Sequence, residues 1–160
     1  MREFPTSFKH LTLWLLLGTG VFLAVQFWQD RQRQSLFSAE GGLIELRRSP
    51  DGHFHWPGTV NGVAVEFLVD TGATRSALPT TLAQAAGLRA EGSVQSSTAG
   101  GTVQGWTGRG DLQLQGGVRV QRLPLTVLPA LGSPLLGMDV LGKLRFSQAD
   151  GVLRLRPPAE

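Results

Sequence analysis

The 160-residue chain contains no cysteine. Disulfides, thiolate zinc sites and a catalytic thiol are thereby excluded. The compartment stays open, because an exported protein can do without disulfides. A long basic run is also missing. The net charge is +3, from 15 basic and 12 acidic residues, and Arg47-Arg48 and the Arg154/Arg156 pair are short and separate. Nothing in this pattern tracks a phosphate backbone, so nucleic acid is not expected as a partner. The length is too small for two ordinary domains. It fits one domain of about a hundred residues plus an appendage, and a domain of that size gains stability from dimerisation.

What is present falls into two parts. Residues 11–28, LTLWLLLGTGVFLAVQFW, carry no charge. As a helix they would reach roughly 27 Å, near the thickness of a bilayer core. Trp14 lies near one end and Phe27-Trp28 at the other, where amphipathic rings favour the interface. A cleaved signal peptide would have a shorter apolar core with a small-x-small site close behind it. Gln29-Asp30-Arg31-Gln32-Arg33 offers no such site, and Phe37-Ser38-Ala39 is distant. Residues 1–30 therefore read as a retained N-terminal transmembrane anchor, and residues 31–42, polar and ending in Gly41-Gly42, as a tether. Arg2 and Lys9 precede the segment and Arg31 and Arg33 follow it, so the positive-inside rule does not choose an orientation.

From residue 43 onward the pattern is β. The 21 glycines, with abundant Val, Leu and Thr, suggest short strands joined by tight turns. Leu43–Arg47 predicts a strand, Ser49-Pro50-Asp51-Gly52 a turn, and residues 53–60 a second strand weakened by Pro57 and Gly58. Asn61-Gly62 is the strongest hairpin signal and favours a type I′ turn. Val63, Val65, Phe67 and Val69 alternate with Ala64, Glu66 and Leu68, the mark of a strand with one buried face. Residues 79–86 predict a helix, with Pro79 in its first turn and Gly87 at its C-terminal cap. Residues 94–99 and 102–107 form a hairpin about Gly100-Gly101, and Gly116-Gly117 turns the chain again before residues 118–128. A short helix at 138–143 and a last hairpin about Asp150-Gly151 close the domain.

One acidic residue stands apart. The strand 63–69 runs straight into Asp70-Thr71-Gly72. A carboxylate there is held on a rigid element in a partly apolar setting, which suits proton transfer. Gly72 permits a tight turn and close backbone approach. Three residues alone also describe an ordinary turn.

The wider run Phe67-Leu68-Val69-Asp70-Thr71-Gly72-Ala73-Thr74 resembles the active-site loop of aspartic proteases. Leu135-Leu136-Gly137-Met138-Asp139 resembles their second signature, two apolar residues and a glycine opening a short helix. The match runs from about Leu43 to Arg156. The chain is most similar to the retropepsin-like aspartic proteases of clan AA, in the bacterial form with one N-terminal transmembrane segment. The resemblance implies an all-β, single-lobe acid-protease barrel with one or two short helices over residues 43–158. It implies that Asp70 is catalytic and that Thr71, Gly72 and Ala73 complete the active-site loop, with Thr71 bracing two loops across an axis. Gly100 and Gly101 would sit at the tip of a substrate-binding flap, and Leu135, Leu136 and Gly137 would pack against the catalytic loop.

Only one Asp-Thr-Gly occurs in the chain. By the same resemblance the second carboxylate comes from a homodimer, with Asp70 of each copy meeting on a two-fold axis. The expected activity is aspartic endopeptidase action on a polypeptide substrate, near the membrane or exported, with no metal or organic cofactor. The expected location is the inner membrane of a bacterium, with the protease domain on the periplasmic side. Asp139 reads as a helix-terminal residue, not as the missing carboxylate. Trp106, in the return strand of the flap, fits the cleft, the core or an interface. A catalytically weak, dimeric, membrane-tethered peptide-binding module is the alternative, and a purely structural β-domain a third reading. His53 and His55 lack a third ligand for a metal. Arg109-Gly110-Asp111 and the glycines of 105–110 carry no further motif context.

Overall fold

A computed structural model describes residues 13–26, 36–98 and 101–157. They fall into two units, 1–36 and 37–160.

In the first unit, residues 13–26 form helix α1, and every one of them is exposed. In its middle the Thr19 hydroxyl is satisfied locally, donating to the Leu15 carbonyl at 2.8 Å. The helix is roughly 21 Å long at 1.5 Å per residue. No described helix is long and apolar enough to cross a membrane. The ends of the expected span, residues 11, 12, 27 and 28, lie outside the described residues.

The second unit holds eleven described strands and two short helices. In chain order they are β1 (Phe37–Glu40), β2 (Leu43–Arg47), β3 (His55–Val60), β4 (Val63–Val69), β5 (Ala77–Pro79), α2 (Thr80–Ala85), β6 (Gly92–Thr98), β7 (Gly101–Leu114), β8 (Arg119–Leu128), β9 (Leu135–Leu136), α3 (Met138–Leu141), β10 (Arg145–Ala149) and β11 (Val152–Arg156). The alternation in β4 does what its pattern requires. Val65 and Phe67 are buried while Ala64 and Glu66 face water. At the preceding turn Asn61 and Gly62 have φ of +48° and +84°, the left-handed pair that a type I′ hairpin needs. The Asn61 side chain also ties that turn to its surroundings. It donates to the Ala86 carbonyl and accepts from the Asp111 amide, each at 2.8 Å.

Seven strands run in the order β3-β4-β9-β5-β8-β7-β6, and β3 pairs with β7 as well. The extra pairing, Gly58↔Leu114 to Val60↔Leu112, closes six of the strands into a barrel. Among the described residues the seventh strand, β6, pairs with β7 alone and extends the sheet as a hairpin arm. The remaining strands form a four-stranded sheet in the order β1-β2-β11-β10, antiparallel throughout. Trp56, Phe67, Leu125, Leu136 and Leu155 are fully buried and belong to one core shared by the two sheets. The Trp56 indole N–H reaches the Gln115 carbonyl at 2.9 Å, so this large ring is buried with its polar atom paired.

Some expectations differ from the structure. Residues 37–40, read as part of a tether, form β1 and pair with β2. Phe37 packs against the core, which draws the segment onto the domain. Pro79 is the N-cap of α2 and the last residue of β5. Its fixed φ suits both roles. Residues 101–114 make one continuous strand across the glycines at 105, 108 and 110. The helix expected over 138–143 spans four residues. The C-terminal strand β11 is flanked on both sides, by β2 and β10.

Candidate active site

The chain enters the site along β4 and leaves it along β5. Between these two strands lies β9, parallel to β4 through Leu68↔Leu135 and Val69↔Leu136, and antiparallel to β5 at Ala77↔Leu135. The segment Leu135-Leu136-Gly137 is thus wedged into the mouth of the Asp70 loop. Backbone bonds hold it there. The Asp70 amide donates to the Leu136 carbonyl at 3.0 Å and the Met138 amide to the Ala73 carbonyl at 2.8 Å. A Cβ at Gly137 would stand 2.6 Å from the Arg75 carbonyl carbon and 2.8 Å from the Ala73 oxygen. Only glycine lets the two backbones approach this closely.

Asp70 is half-buried at the start of the loop. The Gly72 amide donates to its Oδ1 at 2.8 Å, and the Ala73 amide to its main-chain carbonyl at 3.3 Å. The side chain is therefore oriented by its own turn through Oδ1, and Oδ2 has no partner among the described residues. Thr71 and Gly72 are exposed and Ala73 is half-buried. Leu136 and Gly137 are buried and Leu135 is half-buried.

A cleft of about 800 Å³ opens over this loop. Asp70, Gly72, Ala73 and Leu135 line it, together with residues 94–97 of the β6 arm and Leu128 of β8. The sequence-predicted loop and second signature thus come together around one cavity. From the hairpin expected to carry the flap, Val94, Gln95, Ser96 and Ser97 line the cleft, and Gly101 is not among its lining residues. Gly101 opens β7 opposite Thr98, and Gly100 lies outside the described residues. Trp106 packs against the core and is likewise not among the cleft-lining residues.

Beneath the loop, Ser76 escaped the sequence reading, and so did the contact it makes with Asp139. Ser76 is fully buried, and its amide donates to both carboxylate oxygens of Asp139 at 3.0 Å. Its hydroxyl donates to Asp139 Oδ1 at 2.7 Å and accepts from the Gly137 amide at 3.0 Å. Asp139 is in the first turn of α3, as expected, yet it also latches that helix to the chain leaving the Asp70 loop. The available signal was the spacing itself, an acidic residue two positions after the signature glycine. Elsewhere, His55 pairs with Asp51 at 2.7 Å. Among the described residues no group of three His, Cys, Asp or Glu side chains could hold a metal ion.

Residues 56–143, more than half of the chain, match the family described as gag-polyprotein putative aspartyl protease. The chain belongs to this family. Its fold is similar to the crystal structure of a retropepsin-like aspartic protease from Rickettsia conorii, with 28% identity, a TM-score of 0.59, and coverage of 76% of this chain and 95% of that one. A weaker likeness is to the EIAV protease in complex with an inhibitor, 23% identical, covering 54% of this chain and 86% of that one, with a TM-score of 0.47. A 42-residue stretch is 50% identical to an uncharacterized protein of Rickettsia prowazekii and covers 26% of this chain. That stretch spans only 18% of the length of the relative.

Proposed function

We propose that this gag-type aspartyl protease relative is an aspartic endopeptidase whose active site is assembled from Asp70 of two copies. The observation that carries the reading is the wedge of β9 into the Asp70 loop, which presents one oriented carboxylate at the floor of a cleft. One carboxylate is half of the machinery. A second, brought to about 3 Å across a two-fold axis, could not ionise together with the first, so the pair would share one proton. The ionised member takes a proton from a bound water, which attacks the scissile carbonyl. The protonated member polarises the carbonyl oxygen and then helps protonate the leaving amine. The β6 arm supplies backbone and small side chains to one wall, which suits an extended peptide.

The apolar segment at residues 11–28 supports a membrane anchor. With α1 embedded, the protease domain would act on membrane-near or exported proteins, at the periplasmic face of a bacterial inner membrane.

The test uses the full chain in detergent. Peptide cleavage should disappear in Asp70→Asn while the fold, read by circular dichroism, is kept. Undiminished cleavage by that variant would remove the enzyme reading, and peptide retention without turnover by the native protein would favour the binding module. Fractionation tests the anchor. The native chain should stay with membranes after alkaline carbonate washing, and its appearance in the soluble fraction would sink that part.

A further inference from the structure

Asp70 is not the only charged group at the cleft. Among the described residues that line it there is one other, Arg75. The remaining lining residues are apolar or neutral, from Ala73, Val94 and Leu135 to Gln95, Ser96 and Ser97. An incoming chain therefore meets one cation, and no anion besides the carboxylate on the floor. Arg75 is exposed, and no carboxylate among the described residues pairs with its guanidinium. The ion pairs there join His55 to Asp51, Arg109 to Glu91 and Arg154 to Glu45. Asp139, the acid bonded to the next residue along the chain, has both oxygens engaged by the Ser76 amide. An unpaired arginine on an open surface is ordinary. In a cleft, its counter-charge comes from whatever fills the cleft.

The root of this side chain is fixed. Gly137 packs against the Arg75 carbonyl so closely that a Cβ there would stand 2.6 Å from its carbon. The next residue, Ser76, is fully buried and latched to Asp139 through its amide and its hydroxyl. The Arg75 backbone is thus held from both sides on the loop that also carries Asp70. A charge on a rigid root is placed at a constant offset from the reacting carboxylate, which is what selection between substrates requires.

We propose that Arg75 sets the specificity of the cleft, selecting polypeptides with an acidic side chain close to the scissile bond. This rests on the endopeptidase reading above and names its substrate class. A carboxylate on the peptide can accept two parallel N–H bonds from the guanidinium. A lysine or arginine at the same position meets like charge, so the discrimination has a repulsive half as well as an attractive one. A bound peptide also displaces water from the cleft, which strengthens both halves. The apolar lining receives the neighbouring side chains. In a two-fold dimer the second Arg75 lies across the dyad, so an acid is favoured on either side of the bond that is cut.

The test compares substrates within one enzyme, so a general loss of activity in a variant does not disturb it. An otherwise uncharged, apolar peptide carries a single glutamate, glutamine or lysine, walked outward from the scissile bond. With the full-length native chain in detergent, kcat/KM at the most sensitive position should be about ten- to hundredfold higher for glutamate than for lysine, with glutamine between. The difference should lie mainly in KM and shrink as salt is added. Arg75→Glu should reverse the order. Arg75→Lys should keep its sign at a smaller ratio, because an ammonium lacks the planar fork. Equal rates for glutamate and lysine at every position, or an order that Arg75→Glu leaves unchanged, would overturn the proposal. Retention of the labelled peptides by Asp70→Asn, read as fluorescence anisotropy, separates the two readings. Glutamate-over-lysine retention that reverses when Arg75→Glu is added, in a protein whose native form cuts nothing, would keep the role of Arg75 and sink the protease. Asp70-dependent cleavage without any preference for glutamate would keep the protease and sink the role of Arg75.

Discussion

The seven-stranded and four-stranded sheets share one core, yet six strands of the first close into a ring and the second stays open. In the barrel, β3 returns to β7, and the strands around Asp70 are held on every side by backbone pairing. In the four-stranded sheet, β1 and β10 each pair on one side only, among the described residues. The difference bears on how tightly each region is held. A carboxylate that must be held to within a fraction of an ångström is placed where the backbone is fully paired. The four-stranded sheet packs on the same core while its two outer strands are paired on one side, among the described residues. Substitutions in the first region should change chemistry and stability together, and substitutions in the second should do little within one chain.

The largest effect expected is in Asp70→Asn, a loss of about 10²–10⁴-fold in peptide cleavage. The asparagine Oδ1 can still accept from the Gly72 amide, so the melting temperature should stay within the error of the native value. A large fall in melting temperature would show that the carboxylate is structural. Next is Gly137→Val. Its Cβ would press on the backbone of Ala73 and Arg75, and overpacking against atoms that cannot swing away should destabilise by about 3 kcal/mol. Urea denaturation measures it, and an unaltered midpoint would show that the wedge is loose. In Asp139→Asn an amide group would replace one of the two oxygens that face the Ser76 amide. Losing charged acceptors at a half-buried site should lower stability by about 1–3 kcal/mol and reduce cleavage in parallel, because the latch lies directly beneath the loop.

The open sheet should respond less. Arg154 pairs with Glu45 at 2.7 Å on its outer face, and both side chains keep much of their exposure. Arg154→Ala should therefore change unfolding free energy by no more than about 1 kcal/mol. A larger value would mean that this sheet is as tightly determined as the barrel. The smallest effect concerns Asp51, which sits in the turn before β3. The His53 amide, then the His55 side chain, hold its carboxyl below the ordinary value of 3.8. A depressed carboxyl stabilises the fold above its unfolded value and loses that contribution as pH falls through the folded one. The pair is exposed, so Asp51→Asn should only flatten the acid limb of the stability curve below about pH 4. An NMR titration showing an unshifted Asp51 would remove the effect.

Much of this site could be read from the chain alone. Strand β4 announced itself through strict alternation, and Asn61-Gly62 through turn chemistry that few other pairs can satisfy. Both are local properties, and the structure reproduces their bounds. Strands β5 and β9 could not be seen this way, because two or three residues carry no period. They exist because the Asp70 loop and the second signature fill each other's hydrogen bonds across more than sixty positions of chain (Asp70 amide to Leu136 carbonyl). Ser76 was invisible for the same reason. A serine is buried only if distant partners satisfy its hydroxyl, and here they are Asp139 and the Gly137 amide.

By itself, then, the sequence determined the alternating strand that ends on Asp70, the tight turns, the apolar run at residues 11–28 and the single copy of Asp-Thr-Gly. Each follows from the chemistry of neighbouring residues. Tertiary structure alone decided that β9 lies between the strands entering and leaving the loop, that Asp139 latches Ser76, that the β6 arm and not Gly101 walls the cleft, and that β11 is interior while β10 is left at the edge. Those outcomes depend on which distant backbone groups find each other first in space, and no local pattern encodes that choice.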